Sequence, residues 1–151
     1  MERSLVILKP DAIQRGLVGA ILGRLERRGL KIIGMKLIHM DRDLAERHYA
    51  DHKGKSFFAG TVEYITSGPV VVLVIAGENV IQMIRNTVGA TNPLNAAPGT
   101  IRGDYAVTIG RNLIHASDSP ENGEKELKNF FGDDELLQDF IRSTDPWIFA
   151  S

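Results

Sequence analysis

Apolar and polar positions change rhythm several times along this chain, and each rhythm predicts an element. Leu5-Val6-Ile7-Leu8 is a continuous, largely β-branched run, the pattern of a strand covered on both faces. Val18, Ile21, Leu22 and Leu25 recur at helical spacing, with Gly29 as the stop. Ile33, Met35, Leu37 and His39 alternate with Gly34, Lys36, Ile38 and Met40, which predicts a second strand. Asp43 to His52 reads as a polar helix capped by Asp41 or Asp43. Phe58, Val62 and Ile65 mark another helix, ended by Ser67-Gly68. Val70 to Ile75 is the strongest strand signal, and Asn79 is placed to cap a helix carrying Val80, Ile84 and Val88. Gly89 to Gly99 has no period; a loop that long in a compact domain is more often functional than idle. Tyr105 to Ile109 reads as the fourth strand, and Ser119-Pro120 opens a last helix with serine at N-cap and proline at N1.

The order is β-α-β-α-α-β-α-β-α. Removing the insertion between the second and third strands leaves β-α-β-β-α-β. That predicts an α+β, ferredoxin-like fold: a four-stranded antiparallel sheet with helices packed on it, plus a C-terminal helical segment. At 151 residues the expectation is one domain spanning 1–151.

Composition removes whole classes of function. With 43% apolar and 25% charged residues, the chain is neither disordered nor collagen-like. A net charge of −1 argues against bulk adhesion to nucleic acid or anionic membrane. The charge is uneven: residues 1–75 hold twelve Lys/Arg against eight Asp/Glu, and residues 76–151 hold six against eleven. With no cysteine, a thiol nucleophile, a disulfide framework and a Cys-based zinc site are all excluded. The longest apolar run, Val70–Ala76, is far too short to span a bilayer, and Met1–Ser4 leads straight into a strand. The expectation is a soluble, cytoplasmic protein.

Candidate chemistry concentrates at Asn112-Leu113-Ile114-His115-Ala116-Ser117-Asp118-Ser119. A histidine at a strand–helix junction is rigidly held yet reachable. Imidazoles titrate near neutrality and serve as nucleophiles or proton shuttles. Ser117, Asp118 and Glu126 are near enough in sequence to orient His115, although Ser, Asp and Asn also serve as turn and cap residues. A Ser-His-Asp hydrolase fails, because Ser117 lacks a G-x-S-x-G elbow. Gly29 to Gly34 has Walker-like spacing, but Met35 stands where lysine is required, and no G-x-G-x-x-G is present. Any nucleotide is therefore held by side chains. His48 and His52 are four apart, a spacing that can bind metal, but two ligands alone are weak evidence and the reading is a solvated helix face; His39 reads as a hydrogen-bonded structural residue. Lys9, Arg85 and Arg102 flank element ends; converging on one cleft, they would neutralise a triphosphate.

At Lys9-Pro10-Asp11 and across Asn112 to Asp118 the sequence strongly resembles nucleoside diphosphate kinase. The similarity runs over essentially the whole chain, including Gln14-Arg15-Gly16-Leu17-Val18-Gly19, His48-Tyr49, Phe57-Phe58, Ala90-Thr91-Asn92-Pro93 and Pro98 to Asp104. The resemblance implies transfer of a terminal phosphoryl group from a nucleoside triphosphate to a nucleoside diphosphate. It implies that His115 is phosphorylated through Nδ1, with Glu126 orienting the ring and Ser117 nearby. Lys9 would reach the phosphates and sugar hydroxyl, Asn112 the sugar, and Arg85, Thr91 and Arg102 the phosphates. Phe57 would stack on the base with Ile109 on its other side, and Tyr49 would help place Lys9. Mg²⁺ would be held mainly by the nucleotide, with no protein metal ligands. Family members assemble as hexamers or tetramers. The aromatic tail Ser143 to Phe149 and Pro93 resemble the hexamer-forming members. Ala12, Ser56, Thr61 and Ala90 depart from common family residues, and none removes a proposed catalytic group.

Two rival readings come from other classes. One is a regulatory nucleotide-binding or histidine-phosphate module with little catalysis; the presence of every proposed group disfavours it. The other is an RNA binder, since split β-α-β sheets serve that role too. Here the strands lack the aromatic surface motif and the charge is not basic, so nucleic acid is not expected as a partner.

Overall fold

The computed structural model describes residues 1–150. In chain order the elements are β1 (Glu2–Leu8), α1 (Pro10–Gln14), α2 (Val18–Arg27), β2 (Lys31–Ile38), α3 (Arg42–His48), α4 (Phe58–Ile65), β3 (Val70–Gly77), α5 (Val80–Val88), α6 (Ile101–Tyr105), β4 (Ile114–Ala116), α7 (Pro120–Leu127) and α8 (Asp145–Ile148). The sheet order is β2-β3-β1-β4, with every pairing antiparallel. This is the α+β arrangement that the sequence pattern predicts. None of the described helices is long and apolar enough to cross a membrane.

Alternation along β1 divides the core. Val6 and Leu8 face a cluster with Ile21 and Leu25 of α2 and Val80, Ile84 and Val88 of α5. Leu5 and Ile7 face the other side, against Ala45, Val62, Ile65, Leu127 and Phe130. β3 is buried at all eight positions, which is why its apolar run is unbroken.

The fourth strand lies elsewhere than its sequence pattern suggests. Tyr105 closes α6, whose N-cap Thr100 accepts a hydrogen bond from the Gly103 amide at 3.0 Å. Val107 and Ile109 stay exposed, and the fourth strand is Ile114–Ala116. Burial decides the outcome: Leu113, Ile114 and Ala116 are the residues of this region that enter the core. Three smaller differences follow local chemistry. β2 runs two residues earlier than its alternation predicts, with a bulge between Ile32 and Gly34. The polar helix splits into α3 and a 3-10 turn at Ala50–His52, and Asp41 caps α3 through the Leu44 amide at 2.8 Å. Asn79 precedes α5 in a left-handed conformation (φ 56°) and makes no side-chain cap.

Register places the candidate histidine. His115 pairs with Ile7, so it shares the face of the sheet that packs on α3, α4 and α7. Helix α7 lies close on β1: a Cβ at Gly123 would stand 2.2 Å from the Arg3 carbonyl oxygen. Glycine at that position lets the helix settle, and Glu126, one turn on, reaches β4.

Candidate active site

Nε2 of His115 lies 3.1 Å from Oε1 of Glu126, within hydrogen-bond reach. The same oxygen accepts the Ser117 hydroxyl at 2.6 Å. Ser117 is fully buried, and its Oγ in turn accepts the Leu5 amide at 3.0 Å. Burial would push the Glu126 carboxyl up, but the hydrogen bonds from His115 and Ser117 and the neighbouring imidazoles outweigh it and hold it below the usual value. An ionised Glu126 requires the proton on Nε2, which leaves the lone pair on Nδ1. The tautomer suited to nucleophilic attack through Nδ1 thus follows from the hydrogen-bond chain Leu5–Ser117–Glu126–His115.

His115 and Glu126 border a cleft of roughly 470 Å³, lined also by Lys9, Arg85, Thr91, Arg102 and Asn112. Its defining property is cationic charge without local carboxylate partners. Lys9 Nζ donates to Asn112 Oδ1 at 2.8 Å. Burial, with the charge of Arg102, lowers its pKa to about 8. Arg102 spends its guanidinium on three backbone carbonyls, those of Asn112 (3.2 Å), Gly89 (3.2 Å) and Ile114 (2.5 Å). Burial, then the neighbouring Arg85, lowers its pKa to about 10. Arg85 contacts the Ala116 carbonyl at 3.3 Å. None of the three forms an ion pair among the described residues. Charges held this way are complementary to a polyanion.

The backbone beneath the cleft is fixed by Asp11. Its carboxylate accepts the Leu113 amide at 3.1 Å and the Tyr64 hydroxyl. Leu113 is fully buried at φ 75°, a left-handed conformation rare outside glycine. The Lys9 amide completes the tie by donating to the Leu113 carbonyl at 2.8 Å. This anchored turn sets Asn112 against Lys9, and Asn112 also donates to the Thr91 carbonyl at 3.0 Å, joining the long loop to the cleft.

Other candidates fall outside this cluster. Phe57 and Ile109 are exposed and are not among the cleft-lining residues, though Phe57 packs 5.3 Å from the ring of His52, which is. Tyr49 packs edge-on against His48 at 4.7 Å. Asp118 accepts from Asn122 at 2.6 Å at the rim and does not hold His115. His39 bonds the Thr66 carbonyl at 2.8 Å, a structural role. His48 overturns the solvated-face reading of its helix. Its ring stands edge-on to His115 at 4.8 Å and to Phe130 at 5.5 Å. Burial, with the charge of His115, lowers its pKa to about 3.

The pattern reading named Glu126 but missed the rest of its wall. Asn122 and Lys125 of α7, and Asn129 just beyond it, line the cleft with Glu126 at spacings of three and four after the Ser119 cap, so the helical period carried the signal.

Comparison with known proteins shows the family of the chain. The family model described as "Nucleoside diphosphate kinase" matches residues 2–136. A protein of that name from Roseiflexus sp. (strain RS-1) is 66% identical over 149 residues, covering 99% of each chain. One from Archaeoglobus fulgidus is 54% identical over 149 residues, covering 99% of this chain and 98% of its own. The structure of a halophilic nucleoside diphosphate kinase from Halobacterium salinarum in complex with CDP superposes with a TM-score of 0.94, at 48% identity over 98% of each chain.

Proposed function

The chain belongs to the nucleoside diphosphate kinase family, which moves the terminal phosphoryl group of a nucleoside triphosphate to a nucleoside diphosphate, and we propose that His115 is the residue that carries it. The observation that carries this assignment is the Glu126–His115 hydrogen bond beside three cations without carboxylate partners.

In the first half-reaction the Nδ1 lone pair attacks the terminal phosphorus. An N–P bond forms, the P–O bond to the nucleoside diphosphate breaks, and the diphosphate leaves. The second half-reaction reverses these bonds with a different diphosphate in the same cleft, which gives ping-pong kinetics. Glu126 keeps the ring oriented and balances the positive charge that develops on it. Ser117 acts through Glu126 as a positioning residue. Lys9, Arg85 and Arg102 neutralise the phosphates, with Thr91 beside them. Phosphoryl transfer asks the protein chiefly for such alignment and charge. Asn112 would contact the sugar. Phe57 and Ile109 would form the base slot, and Tyr49 would brace the same wall. Apolar stacking discriminates little between bases, which supports broad nucleotide acceptance.

Of the three carboxylates that line the cleft, Glu126 is engaged by His115 and Ser117 and Asp118 by Asn122, which leaves a poor cage for an ion that demands several oxygen ligands. Mg²⁺ would therefore be carried mainly by the nucleotide phosphates, where it supplies further charge neutralisation. Exposed Leu94 after Pro93, and exposed Trp147 in the tail, support a homo-oligomer, with a hexamer preferred over a tetramer. Family membership supports a cytoplasmic location and a single kinase domain.

Incubation with Mg²⁺ and γ-labelled ATP tests the assignment. His115 should acquire an acid-labile, base-stable phosphate that any nucleoside diphosphate removes. A His115→Ala protein that still exchanges phosphate would overturn it.

A further inference from the structure

One polar atom beside the nucleophile has no role in the chemistry above. Nδ1 of His48 is buried without a hydrogen-bond partner, an uncommon state for a buried polar atom. Nearby, one ring nitrogen of His48, one of His115 and a carboxylate oxygen of Glu126 all lie within 4.8 Å of one another. The two rings meet at 88°, and both His115 and Glu126 line the cleft, which leaves an open side for an incoming ion.

We propose that His48, His115 and Glu126 form a binding site for a transition-metal dication of the Zn²⁺ type, and that filling it switches off phosphorylation of His115. The switching rests on the assignment of His115 as phosphoryl carrier; the binding does not. Two imidazoles and one carboxylate are the donor set of open zinc sites, in which a water takes the fourth position. The cleft supplies that water. Imidazole donors favour Zn²⁺, Co²⁺ or Cu²⁺ over Mg²⁺, so this ion is distinct from the one that travels with nucleotide.

The consequence follows from proton bookkeeping on one ring. At rest the Nε2 proton of His115 points to Glu126 at 3.1 Å. A dication inserted between the two must displace that proton, because Nε2 becomes the ligand. The neutral ring carries a single proton, which then resides on Nδ1. No lone pair remains there, so no N–P bond can form. Donors around a tetrahedral zinc stand roughly 3.3 Å apart, given Zn–N bonds of about 2.0–2.1 Å. The three side chains therefore draw inward on binding, and the metal-free arrangement is the catalytic one.

Co²⁺ reports the geometry directly. Titrated into the nucleotide-free full-length protein, it should give the visible absorption of a four-coordinate ion at one per chain, displaced by Zn²⁺ and not by millimolar Mg²⁺. His48→Phe should weaken Co²⁺ binding by at least about tenfold. It should also make whatever His115 phosphorylation the variant retains insensitive to zinc. If His48→Phe does not fold by circular dichroism, His48→Gln takes its place. Independently, ¹⁵N-histidine spectra of the unmodified protein should show Zn²⁺ moving the His48 and His115 rings, with His39 and His52 unmoved. A Co²⁺ band that survives in the variant, ring shifts confined to His39 or His52, or phosphorylation indifferent to buffered free Zn²⁺ would each overturn the proposal. If Co²⁺ binds as described but Mg-ATP never labels His115, the metal site stands and the phosphoryl-carrier assignment is what fails.

Discussion

The ammonium of Lys9 rests on the side-chain oxygen of Asn112 at 2.8 Å, and no carboxylate pairs with it among the described residues. A buried cation with only a neutral acceptor is destabilising until an anion arrives. Lys9→Met should therefore raise the stability of the nucleotide-free protein while it abolishes most phosphoryl transfer. Losing the charge recovers up to about 3 kcal/mol, and the unpaired Asn112 oxygen costs back about 1–2. The net is a rise of a few degrees in Tm at neutral pH. Thermal unfolding of both proteins measures it, and a lower Tm in Lys9→Met would reject the argument.

The same group gives a signed pH dependence. Its pKa is lowered to about 8 in the fold from an ordinary 10.5. Between these values the unfolded chain holds the proton and the folded chain does not, so Lys9 makes stability rise with pH across that window. Phosphate binding restores the proton. Near pH 9, a nucleoside diphosphate should thus bind with uptake of a fraction of a proton. Calorimetry in two buffers of different ionisation enthalpy reads this directly; identical apparent enthalpies would contradict it.

Ser117 supports the nucleophile at one remove. Ser117→Ala removes the 2.6 Å bond to Glu126 and leaves the buried Leu5 amide without its 3.0 Å acceptor. Loss of a charge-assisted bond and an orphaned amide should cost about 2–4 kcal/mol of stability. Because Glu126 then holds the ring less firmly, kcat should fall with little change in KM. A purely structural serine would lower Tm and leave the turnover of the folded fraction intact.

What the sequence revealed depended on how local each cause was. β1 and β3 were legible because Leu5–Leu8 and Val70–Ile75 are unbroken apolar runs, and α7 because Ser119 caps it and Pro120 opens it. β4 was not, because three residues carry no period and their burial is set by a central strand over a hundred positions earlier. His48 looked polar on its own helix. Its contact with His115 comes from Phe130 and β4, both remote in sequence. The approach of α7 to β1 depends on Gly123 against the Arg3 carbonyl, a contact with no local signature. Lys9, Arg85 and Arg102 were legible as a candidate set from their places at element ends, but their convergence was not, because only the fold brings all three to one cleft.

Asp11 offers a test of how the cleft floor is held. Its carboxylate bridges the Tyr64 hydroxyl and the Leu113 amide, and Leu113 sits at φ 75° with no exposed surface. A leucine in that conformation persists because its surroundings over-determine it. Asp11→Ala frees two buried donors at once and should destabilise the protein by about 2–4 kcal/mol. Relaxing the turn would also move Asn112 away from Lys9 and Thr91, so KM for nucleotide should rise severalfold beyond what reduced stability explains. Leu113→Gly separates the two effects. It relieves the backbone strain, worth about 1 kcal/mol, but opens a cavity worth about 3–5 in a filled core. That variant should therefore be less stable than the parent, although glycine prefers its backbone angles. A more stable Leu113→Gly protein would mean that strain, and not packing, dominates this turn, and the cleft floor would then have been assigned to the wrong force.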